Sequence, residues 1–164
     1  MRLKTSYSAR EVAALTGLSA RQLQWWDAHK IFQSTVASRP THKGGFTERR
    51  YSPVDVIELI ALADLRRQGF EPSQLKQLLD TLRQYFRRRL SEMLDETGDL
   101  RLLTDGTGLF LRTRQGHIFD VLVDPMQPLV TGDGLPLRPV SVKARARKKK
   151  GERVKVWKGE SGEA

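Results

Sequence analysis

Two helix starts that share one short turn constrain this 164-residue chain more than any other feature of it. Ser8-Ala9-Arg10-Glu11 and Ser19-Ala20-Arg21-Gln22 each place Glu or Gln three residues after a serine. In such a capping box the hydroxyl and the distal side chain satisfy two backbone N–H groups that a helix start leaves free. Val12, Ala13 and Leu15 give the first segment an apolar face, and Gly17 can take the left-handed conformation that ends it. Two capped helices joined by a glycine turn are the sequence form of a helix-turn-helix.

The second helix carries the chemistry. At about 100° per residue, Leu23 and Trp26 fall on one side, and Arg21, Gln24, Trp25 and Ala28 on the other. The first pair suits packing on helix one. The second set offers a guanidinium, an amide and an indole to a partner, which fits a major groove. The alternative reading makes Trp25 a core residue, although a helix this short can fully bury only one of two adjacent tryptophans. Lys30-Ile31-Phe32 then turns the chain, and residues 35–50 read as a two-stranded wing with Lys43-Gly44-Gly45 at or near its tip. Arg39, His42, Lys43, Arg49 and Arg50 cluster there. Beside a groove-reading helix they would track the flanking phosphates; otherwise they form a solvated basic loop.

Leu23-Gln24-Trp25-Trp26-Asp27 sits where the mercury-resistance regulator (MerR) family carries Leu-Arg-Tyr-Tyr-Glu. Ser8 through Gly17-Leu18-Ser19 before it agrees in register, as do Arg49-Arg50-Tyr51-Ser52 and Leu65-Arg66-Arg67-Gln68-Gly69-Phe70 after it. Residues 6–85 thus resemble that family. The resemblance implies a winged helix-turn-helix DNA-binding domain that works as a dimer. The residues expected at DNA are Arg21, Gln24, Trp25, Arg39, His42, Lys43, Arg49, Arg50 and Tyr51. Arg21 and Gln24 would read base edges, and the others would hold the backbone. Gln24 replaces a usual arginine, and Trp25 replaces a tyrosine whose hydroxyl can bond phosphate.

Beyond the wing, Ser52-Pro53-Val54-Asp55 combines an N-cap, a proline at the first position and a carboxylate at the third. The segment that follows, to about Gln68, is apolar nearly all round and reads as the buried packing core. Gly69 ends it and Pro72 opens the next helix, expected to run to about Asp95. Leu75, Leu79, Leu82, Phe86, Leu90 and Met93 form a sustained apolar seam along it. Pairing of this seam with a second copy assigns dimerisation to Leu79, Leu82, Phe86, Leu90 and Met93. The rival is that residues 99–131 fold back over it. Leu100–Leu103, Gly108–Arg112 and His117–Val123 are strand-like runs broken by Asp105-Gly106-Thr107-Gly108 and Arg114-Gln115-Gly116, a small three-stranded meander.

The expected fold is therefore mainly α: a winged helix-turn-helix domain, a long C-terminal dimerisation helix, a small antiparallel β appendage and a basic tail. Its bounds are 1–71, 72–97, 98–131 and 132–164. The charge distribution fits. The chain carries a formal +10, with 13 Lys and Arg against 8 Asp and Glu over residues 1–86, and 10 against 1 over residues 138–158. Between them residues 87–137 are slightly acidic, 6 against 8. The last basic stretch reads as a mobile arm for phosphates, with Val154–Trp157 the one place suited to a short strand.

Cysteine is absent, which excludes disulfides and thiolate metal sites. No apolar run approaches a membrane span, and residues 1–25 lack a signal-peptide core. His29, His42 and His117 lie on unrelated elements, and no nucleophile sits in a recognisable elbow, so no enzyme, metal or cofactor is expected. The expected partners are double-stranded DNA, a second copy of the chain and, at a promoter, RNA polymerase. The setting is the cytoplasm and its nucleoid. Two rival functions fit the same residues. One is an architectural or recombination accessory protein that bends DNA; the other is a protein–protein adaptor built on a winged domain.

Overall fold

The computed structural model describes residues 4–36, 39–40, 47–129 and 136–144. Helices α1 (Ala9–Thr16) and α2 (Ala20–Ala28) begin at the two capping boxes, with Ser8 and Ser19 as N-caps and Glu11 and Gln22 bonding back. Gly17, at φ 85°, closes α1 and its N–H reaches the Ala13 carbonyl. A two-residue strand β1 (Tyr7–Ser8) enters α1. Two more short strands, β2 (Arg39–Pro40) and β3 (Thr47–Glu48), pair antiparallel, with Arg39 opposite Glu48. The glycine tip expected between them lies outside the described residues. Strand β4 (Arg50–Tyr51) returns to pair with β1, Tyr7 opposite Tyr51, so the chain after β3 is tied to the start of α1.

Helix α3 (Pro53–Arg67) starts at the cap read from Ser52-Pro53-Val54-Asp55. It is the centre of the core: Val56, Leu59, Ile60, Ala61, Leu62, Ala63 and Leu65 are buried. The helix is not enclosed on every side, because Val54 and Ile57 stay exposed. Two of its buried residues are charged, Asp55 and Glu58, a feature that an apolar-periodicity reading passes over. Gly69, at φ 107°, ends the segment, and α4 (Pro72–Thr81) follows from Pro72.

The long dimerisation helix expected over 72–95 does not form. α4 stops at Thr81, its last turn widens into a π-helical turn over Leu82–Phe86, and Arg87 takes a left-handed conformation at φ 55° that redirects the chain. A 3-10 turn over Leu90–Met93 leads into a sheet. Strands β5 (Leu100–Thr104), β6 (Leu109–Thr113), β7 (Ile118–Asp120), β8 (Asp124–Pro128) and β9 (Arg138–Pro139) form one antiparallel sheet in the order β8-β7-β6-β5-β9. The molecule is thus not mainly α with a β appendage. A five-stranded sheet follows the shortened helix and its two turns, larger than the three-stranded meander expected, and it includes residues from the stretch read as tail.

The apolar seam explains the difference. Leu82, Leu90 and Met93 are each at most 2% exposed within a single chain. Leu79 and Phe86 pack against the same core, and the Phe86 ring meets Phe119 of β7 edge-to-face at 6.0 Å. The periodicity was a true sign of burial, but the sheet, and not a second helix, covers it. One contiguous core runs from Val12, Leu23 and Trp26 through α3 and α4 to Leu102, Leu109, Leu111, Val121 and Val140.

Candidate nucleic-acid interface

The face of α2 separates as the helical spacing predicts. Leu23 and Trp26 are buried against the core, while Arg21, Gln24, Trp25 and Ala28 are exposed. Trp25 is 46% exposed, so it is not a core residue. Its indole is braced: the His29 imidazole stacks on it at 3.9 Å with 25° between the planes, and His29 Nδ1 lies 2.9 Å from the Trp25 carbonyl oxygen. His29 is also the C-cap of α2. A flat indole held in place on an exposed helix face suits a sugar-phosphate or base surface. Among the described residues the Arg21 guanidinium has no ion-pair partner and is free to reach a ligand.

Arg49 binds its own domain. Its Nε and Nη2 both lie 3.2 Å from Asp27 Oδ2 at the far end of α2. This pair fixes the chain after β3 against α2, and it neutralises part of the charge that Arg49 could offer to phosphate. Arg39 stands opposite Glu48 in the β2–β3 pair. His42 and Lys43 lie outside the described residues.

Arg50 and Tyr51, both expected at DNA, are not on the surface. Arg50 is nearly buried; its Nη2 donates to Ser6 Oγ at 2.9 Å and its Nη1 to Glu48 Oε2 at 3.1 Å. Tyr51 is 1% exposed, and burial pushes its phenol up to about 12. Their place in the β1–β4 pair makes them fasteners of the domain.

The fastening continues through Asp55 and through Thr35, Glu58 and Arg89, which the sequence did not single out. Asp55 caps α3 at the Ser52 amide, 2.9 Å away, and also accepts from the Thr35 amide at 3.1 Å and the Thr35 hydroxyl at 3.0 Å. From the other side Arg89 Nη2 reaches Asp55 Oδ1 at 3.1 Å. Burial alone would raise the Asp55 carboxyl, but the Ser52 and Thr35 amides and the Arg89 guanidinium outweigh it and hold it below the usual carboxylate range. Arg89 also pairs with the buried Glu58, which accepts from the Ser91 amide at 2.8 Å. The cap signal at Ser52-Pro53-Val54-Asp55 located Asp55. Its second duty needed partners 20 and 34 residues away.

The histidines lie apart in the fold. His29 caps α2, His117 is exposed in the β6–β7 connection, and His42 is outside the described residues. Among the described residues no group of His, Asp and Glu could hold a metal ion, and no helix is long and apolar enough to cross a membrane.

In comparison with known proteins, residues 7–82 match the family model described as MerR HTH family regulatory protein. The match ends at Leu82, the residue at which α4 gives way to the π-helical turn. No curated protein matches the chain.

Proposed function

The chain carries a MerR-family helix-turn-helix regulatory domain over residues 7–82, and on that premise we propose that it is a sequence-specific transcriptional regulator. Arg21 and Gln24 read base edges in a major groove, and Trp25 lies along the adjoining backbone. The β2–β3 segment serves as the wing, positioned by the Arg49–Asp27 pair. The observation that carries this reading is the exposed α2 face: an unpaired guanidinium, an amide and a braced indole on one side of a helix whose other side is locked in the core.

The finer reading is a homodimer on an inverted repeat, in the cytoplasm on the chromosome, as the family resemblance implies. Each copy presents Arg21 to its own half-site, and strain in the spacer brings promoter elements into phase for RNA polymerase. The dimer would not use the seam from Leu79 to Met93, which is filled within one chain. Nor is strand addition at β8 favourable, because Pro125 and Pro128 remove two N–H donors from that edge.

Selection of bound fragments from the source genome, followed by footprinting, tests the proposal. The expected result is an enriched palindrome upstream of a transcription start, protected at two chains per site. Fragments of random sequence would contradict sequence-specific reading, and one chain per site would contradict the dimer.

A further inference from the structure

The outer face of the sheet carries a like-charged pair that strand register imposes. Leu102 of β5 stands opposite Leu111 of β6, and both are buried in the core. Side chains alternate along a strand, so Arg101 and its direct partner Arg112 project together from the other face. Cross-strand partners of like charge are destabilising when nothing lies between them. Arg114, two residues beyond Arg112, brings a third guanidinium to the same small cleft of about 220 Å³.

Few acceptors answer these three. The Arg101 side chain is only 23% exposed, yet its guanidinium makes no hydrogen bond among the described residues. Its one ion pair is loose, 3.6 Å from a Glu96 carboxylate whose side chain is 81% exposed. Arg112 has no partner at all among the described residues. Arg114 Nη2 reaches the Thr97 carbonyl oxygen at 3.4 Å. Nearby Arg88 shows the contrast: it binds both Asp99 oxygens, at 2.8 and 2.7 Å. A guanidinium presents five N–H donors in a planar fork, and a largely covered one without acceptors carries a desolvation cost that an oxyanion would offset.

We propose that Arg101, Arg112 and Arg114 form a binding site for the phosphate group of a small ligand, inorganic phosphate or a phosphate monoester, outside the MerR-matched segment. Phosphate oxygens between Arg101 and Arg112 turn the repulsion of the register pair into charge-assisted forks. A duplex is the less fitting occupant. Residues 87–137 carry 6 Lys and Arg against 8 Asp and Glu, and Glu96 on the cleft itself faces solvent, so a long polyanion meets carboxylates once past the three arginines. The site does not depend on what α2 binds.

Calorimetric titration of the full-length protein without DNA, in chloride at constant ionic strength, tests the site. The probes are inorganic phosphate and glycerol phosphate, with acetate as control. The expected result is a saturable isotherm at one ligand per chain for a phosphate probe and none for acetate; the tighter probe tells free phosphate from an ester. Arg112→Gln and Arg101→Gln should each weaken that binding by about 10-fold or more, the loss of one charge-assisted contact. In chloride alone, Arg112→Gln should melt no lower than the unsubstituted chain, because the like charge is gone. No saturable binding of either phosphate probe, or equal affinity in Arg112→Gln, would overturn the site. Acetate binding as well as phosphate would overturn the phosphate assignment. A shallower slope of log K against log salt for DNA in Arg112→Gln would make the cluster a DNA contact instead. Failure of α2 to bind DNA would leave the titration unchanged, so the two readings fail separately.

Discussion

Neighbouring residues that look alike in the sequence divide sharply in the fold. Arg49, Arg50 and Tyr51 are consecutive, yet Arg49 locks α2 through Asp27, Arg50 is held by Ser6 and Glu48, and Tyr51 is enclosed. Tyr51→Ala should cost about 3–5 kcal/mol of stability, in line with large-to-small changes in cores, read as a lower denaturation midpoint in urea. Arg50→Ala should cost about 1–3 kcal/mol, because it strips hydrogen bonds from a nearly buried site. Arg21→Ala should leave the same midpoint unchanged. A change at Arg50 or Tyr51 that weakened DNA binding without lowering stability would return those residues to the interface. The capping boxes were legible because their partners lie three residues apart. The Arg50–Ser6 contact spans 44 residues and was not.

Asp55 links the stability of the fold to pH. Its carboxyl is held below the ordinary value in the folded chain. Its contribution is therefore fully present above the unfolded carboxylate value of about 4 and is lost as pH falls through the folded value. Asp55→Asn should be less stable than the unsubstituted chain at pH 7, and the gap should narrow as melting is followed down toward pH 3. A gap that stayed constant with pH would show that the charge on Asp55 does not matter.

Among elements, the stretch from Leu82 to Met93 shows what periodicity can and cannot say. Apolar residues at steps of three and four mark a side that must be covered, and they are covered. The pattern does not name the cover, and it does not register the bend at Arg87, where the chain leaves the helix. The two arginines that follow find separate partners: Arg88 pairs with Asp99 at 2.7 Å, and Arg89 with Asp55 and Glu58. Leu82→Glu with Leu90→Glu should thus unfold the chain, not split a dimer. Circular dichroism would show loss of secondary structure at every protein concentration. A folded, sedimenting monomer from the same variant would restore the helix-pair interpretation. Arg89→Gln leaves the buried Glu58 carboxylate short of a counter-ion. Because Arg89 is partly exposed, solvent screening reduces the cost to about 1–3 kcal/mol.

In the whole molecule one core joins the helix-turn-helix to the sheet, so the C-terminal half is not an appendage. Val140 is a small sign of this. It sits in a stretch whose charge reads as tail, yet it is buried, because β9 completes the sheet next to β5. Charge counting saw the basic ends and missed the strand that opens the second of them, since a two-residue strand has no period to detect. The groove-reading face was legible for the opposite reason: nine residues of α2 alternate between core and solvent with a regular helical period. Base reading by that face rests above all on Arg21. The most direct test is competition binding of the unsubstituted chain and Arg21→Ala to the selected site and to a shuffled duplex of equal length, at one salt concentration. Arg21→Ala should lose about 10- to 100-fold at the selected site and change little on the shuffled duplex. An equal loss on both duplexes would make Arg21 a phosphate contact and contradict base reading by α2.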